Sequence, residues 1–298
     1  MPAHNLTHYL DNNMRALIVG LGFGRAVYKP IYETLGWDIV TVDSVNPEAN
    51  FKSISEVKGK FNVAHICTPN FTHYELADAA AKISKIVFVE KPGVKTAAQW
   101  QQLLDNNPKT RIVMTKNNQY RDNIMDMARS AAENPDKLVT IDWINKNRVP
   151  NPGSWFTTKE LAFGGVSRDL MPHMLSIYQM LNPNWLEDKA TFSQTYQNWG
   201  LTQIDTTEYG VVNKQGTYDV DDACKFEFGR FHLYANWRSI KDEQIGVTTS
   251  VADYPLGLCP VEAYERMIKT AIKNQSTDKF WEQQKEMDLW IHQQLELV

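Results

Sequence analysis

The chain has 298 residues, a length that suits two domains or one large one. With 43% hydrophobic residues, nine Trp and twelve each of Tyr and Phe, it can fill a sizeable core, which excludes global disorder. A net charge of −4, from 31 basic and 35 acidic residues without a basic run, speaks against nucleic acid or an anionic membrane as partner.

Residues 1–13, "MPAHNLTHYLDNN", are polar and lack the apolar stretch of a signal peptide. They read as a dispensable leader, with Met14 opening the folded part. No apolar run approaches the length of a membrane span. Cys67, Cys224 and Cys259 are widely spaced and form no metal pattern, which suits a reducing cytoplasm.

From Met14 the pattern alternates. Residues 15–20 predict a buried strand, 26–36 a helix ending at Gly36, and 38–43 a second strand. Residues 62–69 form a third strand closed by Pro69, followed by a helix over 72–82 and a fourth strand over 86–89. Thr96 and Gln99 make a capping-box pattern that opens the next helix. A fifth strand at 111–115 and a helix at 123–134 complete the series. Strict alternation implies right-handed crossovers and a parallel sheet covered on both faces. After about residue 137 the signal becomes strand after strand, as in "LVTIDWINKNR", "ACKFEFG" and "RFHLYANWRS". That predicts an antiparallel sheet with one covered face. Two amphipathic helices end the chain. The expected division is a dinucleotide-binding Rossmann domain over 14–122 and a substrate-binding and oligomerisation domain over 123–298.

The turn after the first strand holds Gly20, Gly22, Phe23, Gly24 and Arg25. A strand–glycine–helix turn lets backbone N–H groups face a pyrophosphate. The spacing departs from G-x-G-x-x-G, because Arg25 takes the third glycine position. Asp43, at the end of the second strand, is placed to accept hydrogen bonds from an adenosine ribose and to repel a 2′-phosphate. This favours NAD over NADP, while Arg25 leaves NADP open. A merely tight turn is the competing reading.

Several segments together resemble the Gfo/Idh/MocA family (glucose–fructose oxidoreductase, inositol dehydrogenase, rhizopine catabolism). They are "GLGFGRAVYKP", "ICTPNFTH", "VEKP", "GGVSRDLMPHMLSIYQML" and "VDDACKFEFGRFHLYANW". The likeness runs from about Met14 to the end. It is most specific at Thr68-Pro69-Asn70, at Glu90-Lys91-Pro92 and at Asp169 with His173. Tyr28, where many members carry His, and the displaced glycine depart from the pattern. The resemblance implies a Rossmann domain followed by an α+β domain on an open, mostly antiparallel sheet. It implies a nicotinamide cofactor, a sugar-like small-molecule substrate and a homo-oligomer, dimer or tetramer.

Glu90 and Lys91 end the fourth strand, in the crevice where open α/β sheets bind ligands. Lys91 is expected to stabilise charge developing on a substrate oxygen. Asp169 and His173, four apart, share a helix face. His173 is the expected proton carrier, with a packed core histidine as the alternative. Asp169 orients the site or caps the helix. Thr68, Pro69, Asn70 and His73 are expected on the nicotinamide side, although His73 also reads as a residue that fixes the loop. Asn118, Arg121 and Trp155 are candidate substrate contacts. The leading expectation is an NAD(P)-dependent oxidoreductase acting on a sugar, cyclitol or nucleotide-linked sugar. The alternatives are a reductase of a C=N or C=C bond and a non-catalytic nicotinamide-binding regulator.

Overall fold

The computed structural model describes residues 14–204, 211–240 and 242–298, so the expected leader lies outside the described residues. Five parallel strands form the first sheet: β1 (Arg15–Val19), β2 (Asp38–Val42), β3 (Phe61–Ile66), β4 (Ser84–Val89) and β5 (Arg111–Met114), in the order β2-β1-β3-β4-β5. Val42 also bridges Phe51 in parallel, a rudimentary strand beyond β2. The strand order reverses between β1 and β3. Open sheets of this kind bind ligands at that crevice.

The reversal divides the crossovers between the two faces. A single π turn (Gly24–Tyr28) leads into α1 (Lys29–Thr34), which packs Tyr28, Ile31 and Tyr32 on Ala16, Ile18 and Val63. The opposite face carries α2 (His73–Ala81) and α3 (Ala97–Asn106). The predicted cap of α3 forms, with Thr96 Oγ1 accepting from Gln99 N at 3.1 Å.

The α1 face needs further cover beside β4 and β5, and the chain supplies it from its far end. Tyr264, Met267, Ile268 and Ala271 of α8 (Val261–Lys273) and Trp281 of α9 (Asp278–Leu295) join the cluster around Ile86, Phe88 and Val113. On α9, Asp288 accepts from Met114 N at 3.0 Å and from the Lys116 ammonium, and both side chains of this pair are buried. The C-terminal helices, which lie in the segment expected to form the second domain, thus pack against the first sheet. Sequence periodicity marks them as amphipathic but carries no address for their apolar face.

The second sheet has six strands: β6 (Val139–Ile144), β7 (Phe192–Tyr196), β8 (Ala223–Phe228), β9 (Phe231–Asn236), β10 (Gln244–Thr248) and β11 (Asp253–Pro255), in the order β11-β10-β6-β9-β8-β7. Its pairings are antiparallel except β6 with β9, which run parallel. Alternation along β6, β8 and β9 puts Ile141, Phe226 and Leu233 on the inner face. There they meet Met174, Leu175 and Tyr178 of α7 (Met171–Leu181).

Candidate active site

A cavity of about 850 Å³ runs along the carboxyl ends of the first sheet and is closed by the second domain. At one end lie Gly20, Gly22, Phe23, Asp43 and Lys52, and at the other Trp143, Arg148, Trp155, Arg168 and His173. Such a volume lies in the range that holds a cofactor-sized ligand.

The glycine turn fits a dinucleotide. Gly20 has φ +94°, and a Cβ there would lie 2.5 Å from Cys67 O, so only glycine lets the turn pass the end of β3. Gly22 faces open space within the cavity lining. Asp43 braces the turn by accepting from Leu21 N at 2.8 Å, Val45 N at 2.9 Å and Asn46 N at 2.8 Å. Burial pushes its carboxyl up, but those N–H groups together with Lys52 outweigh it and hold Asp43 below the ordinary aspartate range. It presents an ionised acceptor at the adenosine end.

Gly24, Arg25 and His73, expected at the cofactor, stand outside the cavity lining. Gly24 sits where a Cβ would lie 2.6 Å from Ile18 Cγ2, so it lets the turn of helix pack on β1. Arg25 is exposed and paired with Glu48. His73 is buried, its ring nitrogens 2.7 Å from Gly93 O and 2.8 Å from Thr68 O. It pins two loops from beneath. Thr68, Pro69 and Asn70 do line the cavity, and Asn70 Nδ2 donates to Ala162 O at 2.8 Å across the domain junction.

Where β4 ends, Glu90 and Lys91 enter the cavity wall, and the Lys91–Pro92 peptide is cis. Glu90 accepts from the Tyr28 hydroxyl. Burial pushes its carboxyl up, opposed by that hydroxyl and by Lys91. Lys91 is paired with Asp169, the last residue of α6 (Val166–Asp169). The second oxygen of Asp169 accepts from Trp237 Nε1 at 2.9 Å. Burial raises this carboxyl, but Lys91 and the indole N–H outweigh it and keep Asp169 below the ordinary range. Asp169 makes no side-chain cap; Pro172 stands in the first turn of α7, whose N-cap is Leu170. The pair is held from the second domain. Asp221 accepts from Gly165 N and Ser167 N, each at 2.7 Å, and so anchors α6.

His173 stacks on Trp143, ring centroids 5.6 Å apart, and its ring nitrogens have no hydrogen-bond partner among the described residues. Burial, then the Lys91 charge, push the imidazole down to about 3, with Asp169 opposing. The ring is neutral at physiological pH and faces the cavity. Asn118 lines the same space with its Nδ2 buried and unpartnered among the described residues, as is Asn145 Oδ1. Arg121, a candidate substrate contact, stands outside the cavity lining. It stands behind Asn118, donating to Asn118 Oδ1 at 2.7 Å and to Gly257 O at 2.8 Å. Trp155 lines the cavity, stacked on Phe156 at 4.0 Å.

Sequence reasoning missed Trp143, Asn145, Arg148, Arg168 and Tyr264 in the lining. Arg168 had one available signal, its place beside Asp169. Trp143 and Arg148 had none, because strand alternation says which face a residue takes and not what covers it.

Residues 14–117 match the family model described as "Oxidoreductase family, NAD-binding Rossmann fold". A putative UDP-kanosamine synthase oxidoreductase subunit of Amycolatopsis mediterranei is 27% identical over 216 residues, covering 66% of this chain and 58% of that protein. Levoglucosan dehydrogenase of Pseudarthrobacter phenanthrenivorans is 27% identical over 192 residues, covering 59% and 48%. The chain thus matches only about half the length of these relatives. Among solved structures, GenD2 from gentamicin A biosynthesis in complex with NAD superposes with a TM-score of 0.71 at 17% identity, covering 96% of this chain and 93% of that one. A putative myo-inositol dehydrogenase from Sinorhizobium meliloti gives 0.70 at 16% identity, covering 95% of each. At such identities the structural likeness establishes the fold.

Proposed function

We propose, from the match of residues 14–117 to that oxidoreductase model, that the chain is an NAD-dependent dehydrogenase of the Gfo/Idh/MocA family acting on a sugar, cyclitol or nucleotide-linked sugar. The observation that carries this reading is the grouping of Lys91, Asp169 and His173 in the wall of a cavity that also contains the glycine turn and Asp43. The relatives named above include a dehydrogenase of levoglucosan, which agrees with a sugar-like substrate.

Gly20, Gly22 and Asp43 are the residues that would hold the dinucleotide. When bound, its nicotinamide supplies the hydride acceptor or donor. The chain's own residues manage the proton and the charge. In the oxidation direction, neutral His173 takes the proton of the substrate hydroxyl. Lys91 stabilises the negative charge that grows on that oxygen. As that charge grows, it offsets the Lys91 field that holds His173 down, so the imidazole becomes a better base during the step. Asp169, kept ionised, orients Lys91. Asn118 Nδ2 and Asn145 Oδ1 are free to pair with substrate hydroxyls.

The test is NAD reduction on a panel of polyols, aldoses and nucleotide sugars, in the wild type and in Lys91→Met. The variant should lose about 10²-fold or more in kcat, with NADH affinity little changed. Lys91 depresses His173, so removing its charge raises that imidazole, and the acid limb of the pH profile should move to higher pH. Near-normal turnover by Lys91→Met on a substrate the wild type oxidises would remove Lys91 from the chemistry. No turnover by the wild type across the panel counts against the dehydrogenase reading.

A further inference from the structure

The Arg168 side chain is buried, 7% exposed, yet it lines the cavity. Its Nε and Nη1 have no hydrogen-bond partner among the described residues. A guanidinium is always charged and carries five donors in a planar fork. Leaving such donors dry and unpaired is costly, so a buried arginine of this kind implies a partner that arrives from outside.

The carboxylates whose charge reaches Arg168, Asp221 and Glu296, already accept other hydrogen bonds, Glu296 from Ala97 N. Asp221 receives Gly165 N, Ser167 N and Ser167 Oγ. Asp169 receives Lys91 and Trp237 Nε1. Glu90 is pushed up by burial, toward its neutral form. Arg148 lines the same end of the cavity, with its Nε 3.8 Å from Glu243 Oε2. Lys91 and Arg148 thus have carboxylate partners, whereas two donors of Arg168 have none among the described residues. Gly164 and Gly165 line the wall beside Arg168, and a Cβ on either would run into Arg168 Cγ at 2.8 Å or Asp221 O at 2.0 Å, so the glycines let the segment pack closely there.

We propose that Arg168 is an anion-binding residue and that the substrate is a sugar or cyclitol carrying a negatively charged group, a carboxylate or a phosphate. The inference rests on the dehydrogenase reading and narrows its substrate class. Arg168 precedes Asp169 on α6, so the anion is held in fixed relation to the Lys91–Asp169 pair. A fork of N–H donors suits the paired oxygens of either group.

The experiment titrates the protein saturated with NADH with glucose, glucuronate, glucose 1-phosphate and UDP-glucose by calorimetry. The carboxylate, phosphomonoester and nucleotide diphosphate arms separate the sources of the anion. At least one anionic compound should bind roughly tenfold tighter than glucose, as a charged hydrogen bond provides. Arg168→Met should reduce that advantage to about twofold or less while NADH affinity stays the same; Arg168→Lys should keep part of it. An anionic advantage absent from the wild type, or undiminished in Arg168→Met, overturns the assignment and leaves the dehydrogenase reading standing. Loss of NADH affinity in both variants assigns the guanidinium to the cofactor and overturns it as well. Failure of the wild type to bind NADH overturns both readings.

Discussion

The two walls of the cavity are built from different material. On the first-sheet side Gly20, Gly22, Thr68 and Pro69 bring main chain and small side chains to the wall, with Asp43, Lys52, Glu90 and Lys91 as charged members. On the second-sheet side it is bulky or charged side chains: Trp143, Arg148, Trp155, Arg168 and His173. A main-chain wall suits a ligand that does not vary, because every backbone N–H is alike. A side-chain wall can be rewritten without disturbing the strands behind it. The difference separates two properties, cofactor binding and substrate choice, that point substitutions should move independently.

The hardest break is at the joint that supports the first wall. Lys116 and Asp288 are 1% and 0% exposed, and Asp288 also holds Met114 N at the end of β5. Asp288→Ala leaves a buried ammonium unpaired, which costs about 3–5 kcal/mol. If α9 belongs with the first sheet, NADH binding should weaken together with the urea midpoint. Replacing the pair together, Lys116→Met with Asp288→Leu, should restore most of the stability, because no charge is then left buried alone. A loss under about 1 kcal/mol for Asp288→Ala would show that the pair does not hold α9 in place.

Acid should strike the first-sheet unit harder. Burial lowers His65 and His173 to about 3 and His292 to about 4, and it lowers His73 too. Unfolded, each titrates near its ordinary 6.5. Below that pH the unfolded chain takes up protons that the native state refuses, so stability falls as pH drops from about 6.5. The loss is up to about 1.4 kcal/mol per pH unit for each histidine. Glu90 and Asp288, raised by burial, act in the opposite sense above their ordinary carboxylate range. His65, His73 and His292 all support the first sheet, while His173 alone of this group serves the second wall. Thermal unfolding at pH 7.5 and pH 5.5 should show a clearly lower midpoint in acid, with NADH protection reduced. An equal or higher midpoint at pH 5.5 would mean these rings are not held neutral.

The same contrast explains what the sequence revealed. The first sheet follows from local signals, since each strand and crossover lies within a short stretch of chain. Gly20, Asp43 and Lys91 stand out in the sequence because strand ends in an open parallel sheet fall at the crevice, and all three line the cavity. The second wall depends on contacts between distant segments. Trp237 Nε1 on Asp169 joins β9's end to α6, and Asp221 reaches back to Gly165 and Ser167. Hydrophobic alternation cannot express such pairings. His73 and Arg121 show the limit of a motif: it marks polar residues beside the crevice, and only the fold shows that each satisfies backbone or side-chain groups of the protein itself.

The smallest effect sharpens the comparison within the first wall, where Asp43 carries a negative charge. Its carboxylate does two things that the geometry ties together. It accepts Leu21 N, Val45 N and Asn46 N, which shapes the loop, and it stays ionised in the cavity lining. An ionised acceptor suits the paired hydroxyls of an adenosine ribose and repels a 2′-phosphate. Lys52 lines the same end, with Nζ 2.7 Å from Asn46 O, and gives a phosphate a nearby cation once the opposing charge is gone. Asp43→Asn keeps one carbonyl acceptor and removes the charge. The ratio of NADH to NADPH affinity should therefore fall by roughly tenfold, about the worth of one charged hydrogen bond. Substrate KM at saturating cofactor should stay unchanged, since Asp43 lies at the other end of the cavity from His173. Fluorescence titration of both cofactors reads the ratio directly. If both affinities fall together and the ratio holds, Asp43 is a brace for the glycine turn, and discrimination against the 2′-phosphate resides elsewhere in that wall.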